Sequence, residues 1–91
     1  MYKFDEDKIM KEVKEHIDKT YEGHYNKNKF QATEFIIDSG HGEGFCIGNI
    51  LKYAQRYGKK NGKNRADLMK VIHYSIIALH LNDGESDETK H

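Results

Sequence analysis

Residues 64–81 read NRADLMKVIHYSIIALHL, and this stretch decides the fold. Leu68, Met69, Val71, Ile72, Ile76, Ile77, Ala78, Leu79 and Leu81 make it apolar over a wide arc. A helix apolar over that much of its circumference belongs in a core or in an oligomer interface. Asn64 is placed to cap it, and Asp67 follows in the first turn, where the positive end of the helix dipole favours a carboxylate. The chain has no proline, so glycine alone punctuates it.

Working backward from this helix, residues 58–63 (GKKNGK) form a basic turn. A third helix is expected from about Phe45 or Gly48 to Tyr57, with Ile47, Ile50, Leu51, Ala54 and Tyr57 on one apolar face. Asn49, Lys52, Tyr53, Arg56 and Lys60 follow i, i+3, i+4, i+7, i+11 spacing and are expected as the opposite stripe. Residues 41–48 are glycine-rich and read as a loop before that helix. Residues 30–39 suit a short helix, with a strand the alternative for the last few though no second strand run pairs with it, and residues 21–29, polar with interleaved aromatics, read as a loop. Residues 5–19 read as an amphipathic helix, with Ile9, Val13 and Ile17 every four residues and Asp5, Glu6 and Asp7 at the start. Residues 82–91 are acidic and small-residue-rich and are expected to be disordered. The expected fold is therefore all-α: a small bundle of about four helices, the last most buried, with a glycine-rich loop before the third. Its parts are an N-terminal helix (1–22), a helical domain (23–81) and an acidic tail (82–91).

Composition narrows the function. At 91 residues the chain is one small domain. No apolar run approaches the ~20 residues of a membrane span. No basic and apolar leader pattern opens the chain, which argues against secretion. The single cysteine, Cys46, forms neither an internal disulfide nor a cysteine-based zinc site, so the cytosol is the expected compartment. It reads as a small buried apolar residue rather than a nucleophile paired with His41. His73 and His80 share a helix face without the further ligands a metal needs, so no metal and no fold cofactor is expected. A domain this short buries little core, and a homo-oligomer is the expected remedy.

Fifteen Lys+Arg balance fifteen Asp+Glu, which argues against a general nucleic-acid coat, and no specific nucleic acid is expected. The balance is uneven along the chain. Residues 52–65 carry Lys52, Arg56, Lys59, Lys60, Lys63 and Arg65 with no Asp or Glu. A charge run of this kind is ordinarily a solvated face. Here it shares its stripe with Asn49 and Tyr53 and begins at the glycine-rich segment, whose backbone N–H groups suit a phosphate. Lys52 and Arg56 are the candidate phosphate ligands. Asn49 either contacts ligand or braces the backbone, and Tyr53 either stacks on a base or packs. Asp67 either positions a magnesium ion or a hydroxyl, or is a first-turn dipole partner or a salt-bridge partner of Arg56 or Lys70. Residues 58–64 are one residue short of a phosphate-binding loop and carry Asn64 where Ser or Thr would hold magnesium.

The stretch Gly48-Asn49-x-x-x-Lys-Tyr-x-x-Arg56-x-x-x-Lys60, preceded by His24-Tyr25 and followed by Asp67-Leu68-x-Lys70 and Tyr74, resembles a small protein family of tailed phages. That family is a domain of unknown function and includes the nucleotide kinase of a T-odd coliphage. The resemblance spans about residues 23–81, and departs from the family pattern at Val71, where alanine is expected. It implies a phage protein of the host cytoplasm whose ligand is a small nucleotide (ATP and a deoxynucleoside monophosphate, or a signalling nucleotide). The implied site residues are His24, Tyr25, Gly48, Asn49, Lys52, Tyr53, Arg56 and Lys60.

Three functions follow. The first is a nucleoside monophosphate kinase-like enzyme, in which Lys52, Arg56 and Lys60 stabilise the transferring phosphoryl group, with magnesium an open question. No catalytic base is evident, and two in-line nucleotide sites require sharing between subunits. The second is an oligomeric sponge that sequesters a nucleotide signal of host antiphage defence, with the same contacts and no chemistry. The third is a protein inhibitor of a host enzyme acting through the acidic first helix.

Overall fold

The computed structural model describes residues 1–22 and 24–89, with side-chain surroundings for 1–22 and 28–84. The chain is all-helical among these residues: α1 (Glu6–Thr20), α2 (His24–Ile36), α3 (Gly42–Arg56) and α4 (Arg65–Thr89). No helix among them is long and apolar enough to cross a membrane.

α1 begins on its acids, with the Phe4 N–H donating to Glu6 Oε1 at 2.8 Å. It buries Val13, leaves Met10 63% exposed and packs on α4. An ion pair between Glu12 and Arg65 ties its middle to the start of α4.

α2 and α3 meet at a kink within Ile37–His41. Gly40 makes the bend, with φ +89, a conformation that costs an L side chain ~1–2 kcal/mol. Two expectations fail here. Most of residues 21–29 is helix rather than loop, and the glycine-rich segment is not a loop before the third helix. Gly42 opens α3 and is buried; a Cβ there would meet Leu81 Cδ1 at 2.9 Å and Ile37 Cγ1 at 3.1 Å. The glycine thus lets the start of α3 approach α4. Gly48 sits inside the helix, where its N–H serves the backbone ladder rather than a phosphate.

α3 faces the opposite way from the expectation. Its buried line is Gly42, Cys46 and Tyr53, with Asn49 and Arg56 half-buried on the same stripe. Ile47 is 46% exposed and Leu51 63% exposed. Simple hydropathy put Ile47, Leu51 and Ala54 inside. The aromatic surface of Tyr53 outweighs them, because a buried ring removes more apolar area from water than an aliphatic side chain and its hydroxyl tolerates the edge.

α4 starts as expected. Asn64 Oδ1 accepts from the Ala66 N–H at 2.9 Å, and the Asn64 carbonyl from the Asp67 N–H at 3.0 Å. The helix packs against both α1 and α3. It continues past Leu81 to Thr89, so the segment expected as a disordered tail extends the helix over residues 82–89.

Candidate functional site

Tyr53 is the centre of the α3–α4 interface, 8% exposed. The Tyr74 ring of α4 lies against it, centroids 6.1 Å apart and within 9° of parallel. Phe45, two turns earlier on α3, meets Tyr74 edge-on at 5.7 Å. Burial first, then the neighbouring Tyr53 and Cys46, push the Tyr74 phenol above its ordinary pKa, so it stays a neutral donor.

Three cations gather on this ring stack. Lys52 Nζ lies 5.1 Å, Arg56 Cζ 5.8 Å and Lys70 Nζ 4.8 Å from the Tyr53 centroid. The electron-rich ring face attracts each, by about 0.5–1 kcal/mol where exposed and ~2 where desolvated. Beside them Asp67 is buried, its Oδ1 3.7 Å from Arg56 Nε. The carboxylate is thus engaged with arginine, as one of its sequence readings has it.

The structure sorts the sequence candidates. Lys52, Tyr53 and Arg56 come together. Tyr53 is too covered to stack on a base; it holds cations instead. Asn49 spends its amide on the Phe45 carbonyl at 2.9 Å, a brace within α3. Gly48 lies on an open flank, where an added Cβ would meet nothing within 4 Å. Lys60 falls beyond the end of α3 and does not join the ring cluster. In that turn the Gly58 N–H donates to Gly62 O, and the Lys59 and Lys60 N–H groups to Arg56 O, so these backbone donors are committed within the turn. The side chains of His24 and Tyr25 lie outside the described residues.

Arg56 and Arg65 are both drawn into ion pairs, with Asp67 and Glu12, so the basic window is less free than its charge count suggests. Lys70 and Tyr74 were not among the sequence candidates for the site. The signal was present: residues 67, 70 and 74 are spaced 3 and 4 apart, one face of a helix. Cys46 is fully buried and burial raises its thiol pKa, which removes it as a nucleophile. Among the described residues no group of three or more His, Cys, Asp or Glu is arranged to hold a metal.

The model of a family described as a protein of unknown function (DUF3310) matches residues 19–75, and the chain belongs to that family. No curated protein and no solved structure matches the chain.

Proposed function

We propose that this member of the DUF3310 family binds a nucleotide through its phosphates, at the cations of Lys52, Arg56 and Lys70. The observation that carries the reading is the convergence of three cations, from two helices, on one covered ring, with the acid Asp67 paired to one of them. Clustered cations repel one another, and an anion relieves that repulsion. Arginine offers a phosphate two parallel donors and lysine a point charge. The resemblance to tailed-phage proteins that include a nucleotide kinase supports a nucleotide as the source of the phosphates.

Binding without turnover, as in a nucleotide sponge, is the first reading, because the acid beside the cluster is buried and engaged. Phosphoryl transfer is the second; it needs a second nucleotide in line and a base that Asp67 does not supply while paired. A thermal-shift screen of nucleoside mono-, di- and triphosphates tests binding, and assay for a diphosphate product from ATP and a monophosphate separates the readings.

The protein works in this proposal as a homo-oligomer joined by the outer faces of α3 and α4. The two faces form a groove of ≈ 580 Å³ whose apolar lining is Ile47, Ile50, Ala78, Leu79 and Leu81. A second copy supplies matching area in a self-complementary contact.

A further inference from the structure

The cation cluster has no open ring for a base, because Tyr53 is itself covered. A separate cavity of ≈ 110 Å³ lies among α1, α2 and α4, and Lys70 and Tyr74 line it as well as touching Tyr53. At ≈ 110 Å³ it is smaller than the ~150 Å³ cavity that takes one benzene ring, so as it stands it admits one edge of a planar ring rather than a whole base.

The chemistry of this cavity differs from that of the cluster. Phe30, His73 and Tyr74 give it ring surface, with Phe30 and His73 centroids 6.4 Å apart and those of His73 and Tyr74 6.3 Å apart. Tyr21 stacks on Phe30 at 4.2 Å and braces it. His16 and His73 both line it, and both are held below the ordinary imidazole pKa. Burial is the main cause for each; Lys70 and Lys19 add to it at His16, and His16 and Lys29 at His73. Both rings are therefore neutral at pH 7, each with one donor and one acceptor nitrogen. The Thr20 and Thr33 hydroxyls donate to the Ile17 and Lys29 carbonyls at 2.7 and 3.1 Å, which leaves their oxygens as acceptors. Among the described residues the lining contains no acid.

Ring surface with neutral donors and acceptors, flanked by the Lys29 and Lys70 amines, suits a planar heterocycle with a hydrogen-bonding edge. We propose that this cavity is a nucleobase pocket, and that Lys70 stands between the base and the phosphates held by Lys52 and Arg56. The proposal rests on the nucleotide reading above and locates the base within it.

The test is calorimetric titration of the full chain with pyrophosphate, ATP, GTP, CTP and TTP, on wild type and on Thr33→Leu, which fills the cavity. Ile77→Phe is a second filling variant from another helix. Circular dichroism confirms that each variant is folded. The expected result is that at least one triphosphate binds tenfold or more tightly than pyrophosphate, and that filling removes this advantage while pyrophosphate binding is unchanged. Amide shifts of Thr20, Thr33 and His73 on adding the matching uncharged nucleoside to wild type are expected as well, and they keep the test open if both variants misfold. Pyrophosphate binding with no triphosphate advantage, or an advantage that survives filling with those amides unmoved, overturns the base pocket and leaves the phosphate cluster standing. No binding of any of these ligands overturns both.

Discussion

Asp67 is 2% exposed and places Oδ1 3.7 Å from Nε of Arg56, joining the first turn of α4 to the last turn of α3. Among the described residues Asp67 Oδ2 and Arg56 Nε have no hydrogen-bond partner, so the pair is held by charge rather than by direct hydrogen bonding. Removing the acid strands a half-buried guanidinium. Asp67→Ala is expected to lower stability by about 1–3 kcal/mol, which is ~4–8 °C of melting temperature per kcal/mol in a domain of this size. Chemical denaturation of Asp67→Ala, Arg56→Ala and the double variant checks it. The two single losses together should exceed the double, since the second removal relieves the charge left by the first.

Lys52 and Lys60 are neighbours in the basic window but not in the fold. Lys52→Ala removes a contact to the Tyr53 ring worth about 0.5–1 kcal/mol and is expected to abolish nucleotide-dependent thermal stabilisation. Lys60→Ala is expected to keep at least half of it. Melting curves with and without saturating ATP measure both. Equal losses in the two variants would place the phosphates along the turn rather than on the ring.

Both depressed histidines work in one direction with pH. His16 and His73 bind protons less readily folded than unfolded, where the imidazole pKa is ~6.5. The unfolded chain therefore takes up more protons as pH falls through 6.5, and stability falls with it. The groups acting on them are Lys70 and Lys19 for His16, and His16 and Lys29 for His73. Stability measured between pH 7.5 and 5.5 is expected to decline. The decline should shrink in His16→Gln/His73→Gln, and an equal decline there would assign it to other groups.

The outward face of α3 carries the oligomer prediction. Leu51 and Leu79 are each 63% exposed. Leu51→Glu/Leu79→Glu is expected to leave helicity unchanged and reduce the assembly to monomers, as read by sedimentation equilibrium. A wild-type chain that stays monomeric throughout the concentration range of sedimentation equilibrium would contradict the interface.

Helices α1, α3 and the first part of α4 were legible in the sequence, whereas the first half of α2 and the last turns of α4 were not. Asn64 before Asp67 marked the start of α4, and the wide apolar arc of residues 68–81 marked it as the helix that others pack on. The glycines of residues 40–48 misled, because glycine marks both loops and close approaches. Only Gly40 breaks the helix, by its positive φ, while Gly42 serves contact with Leu81. The face of α3 was misread because hydropathy ranks leucine above tyrosine, whereas packing against Tyr74 decides what is buried. Lys52 and Arg56 were visible as candidates from spacing alone. Lys70 and Tyr74 were visible as a helix face with Asp67, but their approach to Tyr53 depends on how α4 crosses α3, which is a tertiary fact.

The central claim is that the cations around Tyr53 hold the phosphates of a nucleotide. Calorimetric titration of the full chain with nucleoside triphosphates, against Arg56→Ala and Lys70→Ala confirmed as folded, tests it most directly. The account predicts saturable binding in the wild type and at least a tenfold loss of affinity in each variant. Affinity unchanged in both folded variants, or no binding by the wild type, would contradict it.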